Sequence, residues 1–238
     1  MGLYRDEGVV LRTIKLGEAD RIVSLVTQSH GKVRAVAKGV RKTKSRFGGR
    51  LEPTGHVALL LYEGRELDVI TQAESIDHFR AIREDLERLT RATAMLEVVD
   101  QVAQERHANP GLYQMLVGAL RAMASHDAPL IVPAFFLKLL SLEGFHPVLD
   151  GCVHCGQTGG GMAFDLSQGG LVCSSCGGGP AVSPGAIALL RLLLGGELRQ
   201  ALRQGPGPVA TEVARIATNA VEQHLERRLR TVEVLERS

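Results

Sequence analysis

The sequence predicts an α+β, multidomain protein. A small five-stranded β-barrel precedes an α-helical domain, and a four-cysteine module is inserted in that domain. Three observations carry the prediction. Five short β-branched, apolar segments lie within residues 4–75. Near Ile82 the hydrophobic period changes to three or four. All four cysteines fall in one glycine-rich stretch as two C-x2-C pairs. A chain of 238 residues suits two or three small units. The expected divisions are 1–79 for the barrel, 80–147 with 181–238 for the helices, and 148–180 for the cysteine module.

Residues 8–14 are apolar and β-branched, and Gly17-Glu18-Ala19-Asp20 makes a polar turn into residues 21–27. Ser29-His30-Gly31-Lys32 reads as a hairpin turn before the alternating residues 33–37. After a basic stretch come 56–61 and 67–71, joined by Glu63-Gly64-Arg65-Glu66. Closing such strands into a barrel removes exposed edges. Five is the strand count of an OB-fold, and an SH3-like barrel fits the pattern almost as well.

From Ile82 the residues Leu86, Leu89, Met95, Leu96, Val99 and Val102 recur at helical spacing, predicting an amphipathic helix that ends near His107. Asn109-Pro110 resembles an N-cap followed by proline at the first helical position. A third helix near residues 131–143 stops at Gly144. Ser183-Pro184 opens another, and a last helix is expected over about residues 209–229, after the Gly205-Pro206-Gly207-Pro208 break.

Cys152, Cys155, Cys173 and Cys176 follow the pattern C-x2-C, seventeen residues, C-x2-C. Each pair places two sulfurs on one side of a tight turn, and two such turns supply the tetrahedron that Zn²⁺ prefers. Gly156 and Gly177 follow the pairs and let the backbone fold back toward the sulfurs. The segment is too rich in glycine to form a core of its own, so the metal would supply its folding energy. The competing readings are two disulfides or four idle thiols. A catalytic zinc would need an open position that four thiolates do not leave. His154, inside the first pair, is the one other candidate ligand.

Net charge is +2, but its distribution is uneven. Residues 1–80 carry a balance of +4 and residues 81–238 one of −2. Lys32, Arg34, Lys38, Arg41, Lys42, Lys44, Arg46 and Arg50 lie within residues 31–50, with no acid among them. Like charges so concentrated repel one another and point to an anionic partner. The stretch joins two barrel strands, so the sequence predicts nucleic-acid binding by these eight residues. A solvated charged loop is the plainer alternative. With one aromatic in the run, Phe47, the grip should fall on phosphates with little sequence preference.

Other chemistry is not proposed by the residues. There is no phosphate-cradling glycine loop followed by Lys-Ser/Thr, no H-E-x-x-H, and no nucleophile beside a base. His56 and His224 read as packing or surface residues, and Asp150 and Asp165 as turn residues. No apolar run approaches the roughly 20 residues of a membrane span, and the N-terminus does not read as a signal peptide. A cytoplasmic, nucleoid-associated protein is expected, with no membrane and no small-molecule substrate. The run over residues 131–140 is apolar nearly all round. Most of it should be core, though such a helix could also leave a groove for a partner peptide.

Two blocks of sequence carry a family resemblance. One is Glu7-Gly8-Val9-Val10-Leu11 leading to Gly17-Glu18-Ala19-Asp20-Arg21-Ile22, then Gly31-Lys32, Ala37-Lys38-Gly39-Val40-Arg41 and Leu51-Glu52-Pro53. The other is Leu142-Glu143-Gly144-Phe145-His146-Pro147, followed by Cys152-Val153-His154-Cys155-Gly156. Over nearly its whole length the chain resembles the bacterial RecO family of DNA repair proteins. The resemblance implies an N-terminal OB-fold, a helical domain and an inserted zinc module. It implies binding to single- and double-stranded DNA and annealing of complementary strands. It also implies work with RecR to load RecA onto DNA coated by the single-strand-binding protein SSB, and no catalytic residues. Joined to the apolar run, it suggests Phe135 and Leu139 as receivers of the SSB tail. The alternative reading is an RNA- or ribosome-associated factor with a barrel and zinc ribbon.

Overall fold

A computed structural model describes residues 2–229. They fall into two compact units, residues 2–125 with Leu229, and residues 126–228.

In the first unit five strands close a barrel: β1 (Leu3–Leu16), β2 (Asp20–Thr27), β3 (Gly31–Ala37), β4 (His56–Tyr62) and β5 (Asp68–Asp77). Their order around the barrel is β1-β2-β3-β5-β4. β1 is antiparallel to both β2 and β4, and the barrel shuts through a short parallel pairing of Ala35 and Val36 with Asp68 and Val69. That order is OB-like and separates the two barrels that strand count alone leaves open. Along β3 the alternation sorts the side chains: Val33, Ala35 and Ala37 are buried, while Lys32, Arg34 and Val36 stay partly accessible. Val10, Val23, Leu25, Val57, Leu61 and Ile70 complete an interior with no solvent access.

β1 begins at Leu3, ahead of the predicted start at residue 8. The charged run Arg5-Asp6-Glu7 hides its first turns from a hydrophobicity reading. Those residues nonetheless pair with Leu60, Leu59 and Ala58 of β4. Asp6 is buried, and accepts from the backbone N–H of Glu7 at 2.8 Å and of Ser29 at 3.2 Å, with His30 Nδ1 at 2.6 Å. A bulge between Val10 and Arg12 lets this one strand serve both neighbours. At the parallel closure Asp68 is fully buried. Burial opposes its charge, but hydrogen bonds from Arg106 (2.5 Å) and Tyr4 outweigh it and hold the carboxyl below its usual range.

The single helix predicted from Ile82 to near His107 is two. A short α1 (Arg80–Arg83) is separated from α2 (Leu86–Val102) by Asp85, whose side chain accepts from Arg88 N at 3.0 Å and caps α2. The chain leaves the helix at Ala103 and runs beside β3, with Lys32 N donating to Gln104 O (3.0 Å) and Arg106 N to Lys32 O (3.1 Å). Gly31, at φ 66, is required there: a Cβ would stand 2.0 Å from His107 O. Asn109 caps α3 (Pro110–Ser125) as the sequence predicts, accepting from Leu112 N at 3.0 Å.

α3 brings Tyr113 to His56. The imidazole is buried, its Nε2 lies 2.7 Å from Tyr113 Oη, and its Nδ1 has no partner among the described residues. Burial, helped by Arg121, holds its pKa below the ordinary value, while Glu7 and Asp77 oppose less strongly. The folded form therefore disfavours the protonated imidazole of His56, and unfolding relieves that bias. Stability from this group is full above about pH 6.5 and falls as pH drops below it, by at most about 1.4 kcal/mol per pH unit. We expect His56→Gln to reduce the loss of urea midpoint between pH 7.5 and 5.5. An unchanged loss would exclude His56 as its source.

The second unit holds α4 (Ile131–Leu142), a small sheet of β6 (Met162–Asp165), β7 (Gly170–Cys173) and β8 (Ala181–Val182), then α5 (Pro184–Leu194), α6 (Leu198–Ala201) and α7 (Pro208–His224). α4 packs against α5 and α7. It ends at Gly144, φ 92, where Phe145 N donates to Leu140 O at 2.8 Å. Ser183 caps α5 and gives both its N–H and its hydroxyl to Glu212. α7 stops at His224, short of the expected 229, and Glu226 follows with φ 51. Among the described residues no helix is long and apolar enough to cross a membrane.

Candidate nucleic-acid interface and metal centre

The basic segment between β3 and β4 is built onto the barrel. At its start Asp20 accepts from Gly39 N (2.7 Å), Ala19 O accepts from Arg41 N (2.9 Å), and the Arg41 guanidinium donates to Glu18 O (2.9 Å). Successive turns follow, with Ser45 N donating to Lys42 O and Gly48 N to Ser45 O. Phe47 and Leu51 then drop into the barrel interior, each 1% exposed. At its end Arg83 donates to the carbonyls of Gly49, Glu52 and Pro53 at 3.3 Å each. Burial depresses the Arg83 pKa, against the pull of Glu52. Thr54, fully buried at φ 72, and Gly55 tie the end to Val10 through backbone bonds of 3.0 and 2.9 Å.

These anchors leave Lys38, Arg41, Lys42, Lys44 and Arg46 exposed on a fixed segment. The Arg46 guanidinium lies 4.8 Å from the centre of the Phe47 ring. The other three cations of the run are more engaged. Arg50 is half-buried and donates to Arg46 O and Phe47 O. Lys32 Nζ is 3.1 Å from Asp100 Oδ1, and Arg34 is 3.8 Å from Glu105. Sequence reasoning missed Arg83 as the clasp of the segment and Phe47 as a core residue. Arg83 lies outside the charge run, and a lone phenylalanine among lysines carries no periodic signal.

The four cysteines come together as the spacing predicts. One sulfur from each of Cys152, Cys155, Cys173 and Cys176 lies within 4.8 Å of all the others, and His154 is not in the group. Each cysteine is unbridged, and Cys155 Sγ stands 3.7 Å from Cys173 Sγ. A disulfide would need about 2.05 Å. A tetrahedron with metal–sulfur bonds of about 2.3 Å has edges of about 3.8 Å, so the donor set fits a metal ion.

Cys152 and Cys173 are buried, Cys155 and Cys176 exposed. The first turn closes with Gly156 N on Cys152 O, at a Gly156 φ of 73. The second closes with Gly177 N on Cys173 O. There a Cβ on Gly177 would press within 2.6 Å of Val172 Cγ1, so glycine is needed for close approach. Backbone N–H groups of Cys173, Cys155 and His154 draw the Cys152 thiol down to about 6. Hydrogen bonds with Cys155 and Cys173 push Cys176 up to about 12. Four thiols so close cannot all ionise unless a cation balances them.

Phe135 and Leu139, expected to receive a partner tail, are 2% and 0% exposed on α4. Both side chains are packed in the interior of the second unit and neither is presented to a partner. The helix is apolar all round because it is surrounded by its own unit.

A closed OB-like barrel bearing a pinned cationic segment, followed by a helical region with a four-sulfur cluster, defines a class of barrel protein with a basic surface segment and a candidate metal site. Two family models cover the chain: the N-terminal domain of recombination protein O matches residues 1–79, and its C-terminal domain matches residues 83–233. The chain belongs to the recombination protein O, or RecO, family.

Proposed function

We propose that the protein is a non-enzymatic recombination mediator. In this reading it binds single- and double-stranded DNA and anneals complementary strands. With RecR it helps load RecA onto single strands coated by SSB. Membership of the RecO family supports the reading as a whole. The observation that carries the DNA contact is the segment of Lys38, Arg41, Lys42, Lys44 and Arg46, held by hydrogen bonds and core side chains at both ends. A pre-positioned set of cations neutralises phosphates without first being ordered. In the same reading Cys152, Cys155, Cys173 and Cys176 hold one Zn²⁺ as thiolates. The ion serves as a structural cross-link, because four sulfurs leave no position for a reacting water.

The test is strand annealing on SSB-coated oligonucleotides together with a salt titration of single-strand binding. Lys42→Ala/Lys44→Ala/Arg46→Ala should flatten the log–log salt slope by about 2, at roughly 0.7 for each lost phosphate contact. Affinity should fall alike across sequences, and annealing should fall with it. Unaltered affinity and slope in the triple variant would reduce the run to a solvated face. Equal competition by a matched RNA strand would overturn the preference for DNA.

A further inference from the structure

The outer face of β2 and β3 is where barrels of this type lay an oligonucleotide. In this chain part of that face is covered from within the same unit. Cross-strand rows on it run Val9–Val26–Lys32, then Arg12–Ser24–Arg34, then Ile14–Ile22–Val36. Ser24 is 1% and Val26 2% exposed although neither lines the barrel interior, because α2 packs on β1 and β2. The third row lies beyond this cover, and Ile14 is 44% exposed.

Every cation on the covered rows meets a carboxylate. Asp100, near the end of α2, takes Arg12 Nε at 2.6 Å and Lys32 Nζ at 3.1 Å. Lys32 also donates to the Asp100 carbonyl. Glu105, on the segment running beside β3, lies 3.8 Å from Arg34. A carboxylate offers the same charge and the same acceptor oxygens as a phosphodiester. Two acids therefore stand where phosphates of a strand on this face would stand.

We propose that Asp100 and Glu105 are an internal phosphate mimic that closes the strand face of the barrel. The inference rests on the DNA-binding reading above. Nucleic acid first engages the exposed segment of residues 38–46. It extends over Arg34, Lys32 and Arg12 only where its phosphates displace the two carboxylates. Arg34 exchanges first, since its pair with Glu105 is open to solvent on both sides and such pairs are weak. Asp100, tethered and largely buried, competes at high effective concentration and exchanges last.

The test is a salt titration of oligothymidylate binding to the full chain. Asp100→Asn/Glu105→Gln should bind more tightly and steepen the slope by about 2, as three further contacts of about 0.7 become available. The ratio of affinities at 50 and 200 mM salt would then rise roughly 16-fold. Glu66→Gln/Glu74→Gln removes the same charge from an exposed loop position and an exposed strand position and should leave the slope alone.

Arg12→Ala/Lys32→Ala/Arg34→Ala in the natural chain should change the slope far less than Lys42→Ala/Lys44→Ala/Arg46→Ala. The same triple should cancel the gain of the acid variant. Glu105→Gln alone, on the solvent-open pair, should add about one contact and does not touch the anchor of α2. An unaltered slope in both acid variants overturns the mimic. So does a strand-face triple as damaging to the natural chain as the loop triple. A natural chain that binds no oligothymidylate overturns the DNA reading and the mimic with it.

Discussion

Cys173→Ser is expected to release the metal and unfold residues 148–182 while the barrel stays folded. Cys173 is 1% exposed and ends β7, where it pairs with Met162 across the hairpin. Its carbonyl accepts from both Cys176 N and Gly177 N. The serine would keep the backbone turn and remove the thiolate. What remains is too small to hold itself. β6 and β7 are four residues each, β8 is two, and the buried apolar residues of the sheet are Met162, Ala163, Leu171, Val172 and Val182. Gly170 sits where Val148 crosses, and a Cβ would stand 2.1 Å from Val148 O. The close backbone fit therefore leaves glycine where a larger core would need side chains.

Structural zinc contributes about 10–16 kcal/mol in small zinc modules, far more than so short a sheet supplies. Metal analysis should give one zinc per natural chain and much less in Cys173→Ser. Amide exchange should quicken across β6 and β7 and stay slow in β2 and β4. Cys155→Ser, at an exposed corner, should weaken metal retention with less loss of structure. Chain purified without chelator and free of zinc would sink the structural-zinc reading. A Cys173→Ser sheet as protected as the natural one would show that the module folds without the ion.

Phe47→Ala should destabilise the barrel by about 3–5 kcal/mol, the usual cost of removing a buried phenylalanine. The ring is 1% exposed among Val10, Leu25, Leu61 and Ile70. With Leu51 it belongs to the buried core of the closed barrel. Lys42→Ala/Lys44→Ala/Arg46→Ala, five to one residues away along the same segment, should shift the urea midpoint hardly at all. Those side chains are exposed and their mutual repulsion is relieved. The two variants thus separate the roles of one segment. Phe47→Ala costs stability, and the charge triple costs salt-dependent affinity. A Phe47→Ala chain of natural stability with reduced affinity for single strands would mean that the ring stacks on bases instead.

Local pattern made much of this legible. Alternation along Val33–Ala37 and the β-branched runs mark strands wherever they occur, because the pleat sends successive side chains to opposite faces. Asn109-Pro110, Ser183-Pro184 and Gly144 mark helix ends because a terminus satisfies its orphan backbone groups within a few residues. The cysteine spacing was the strongest signal. Two short turns bring sulfurs together almost independently of the rest of the fold, and all four do converge.

Elsewhere a local signal misled because a distant partner changed its meaning. Arg5-Asp6-Glu7 looks unlike a strand until Ser29 and His30 satisfy Asp6. The period from Ile82 looks continuous until Asp85 caps a second helix. The apolar run at Phe135 and Leu139 suggests a groove until α5 and α7 cover it.

By itself the sequence determined the strand-rich beginning, the helical remainder, the convergence of the four cysteines and the charge on residues 31–50. Each depends on composition or on spacings of a few residues. Only the tertiary structure decided that the barrel closes through β3 and β5, that Phe47 belongs to its core, and which of the eight basic residues remain exposed. Those outcomes depend on pairings such as Ala35 with Asp68, Lys32 with Asp100 and Arg83 with Glu52. Residues so far apart in sequence share no period, and their interaction exists only once burial and chain closure have brought them within a few ångströms.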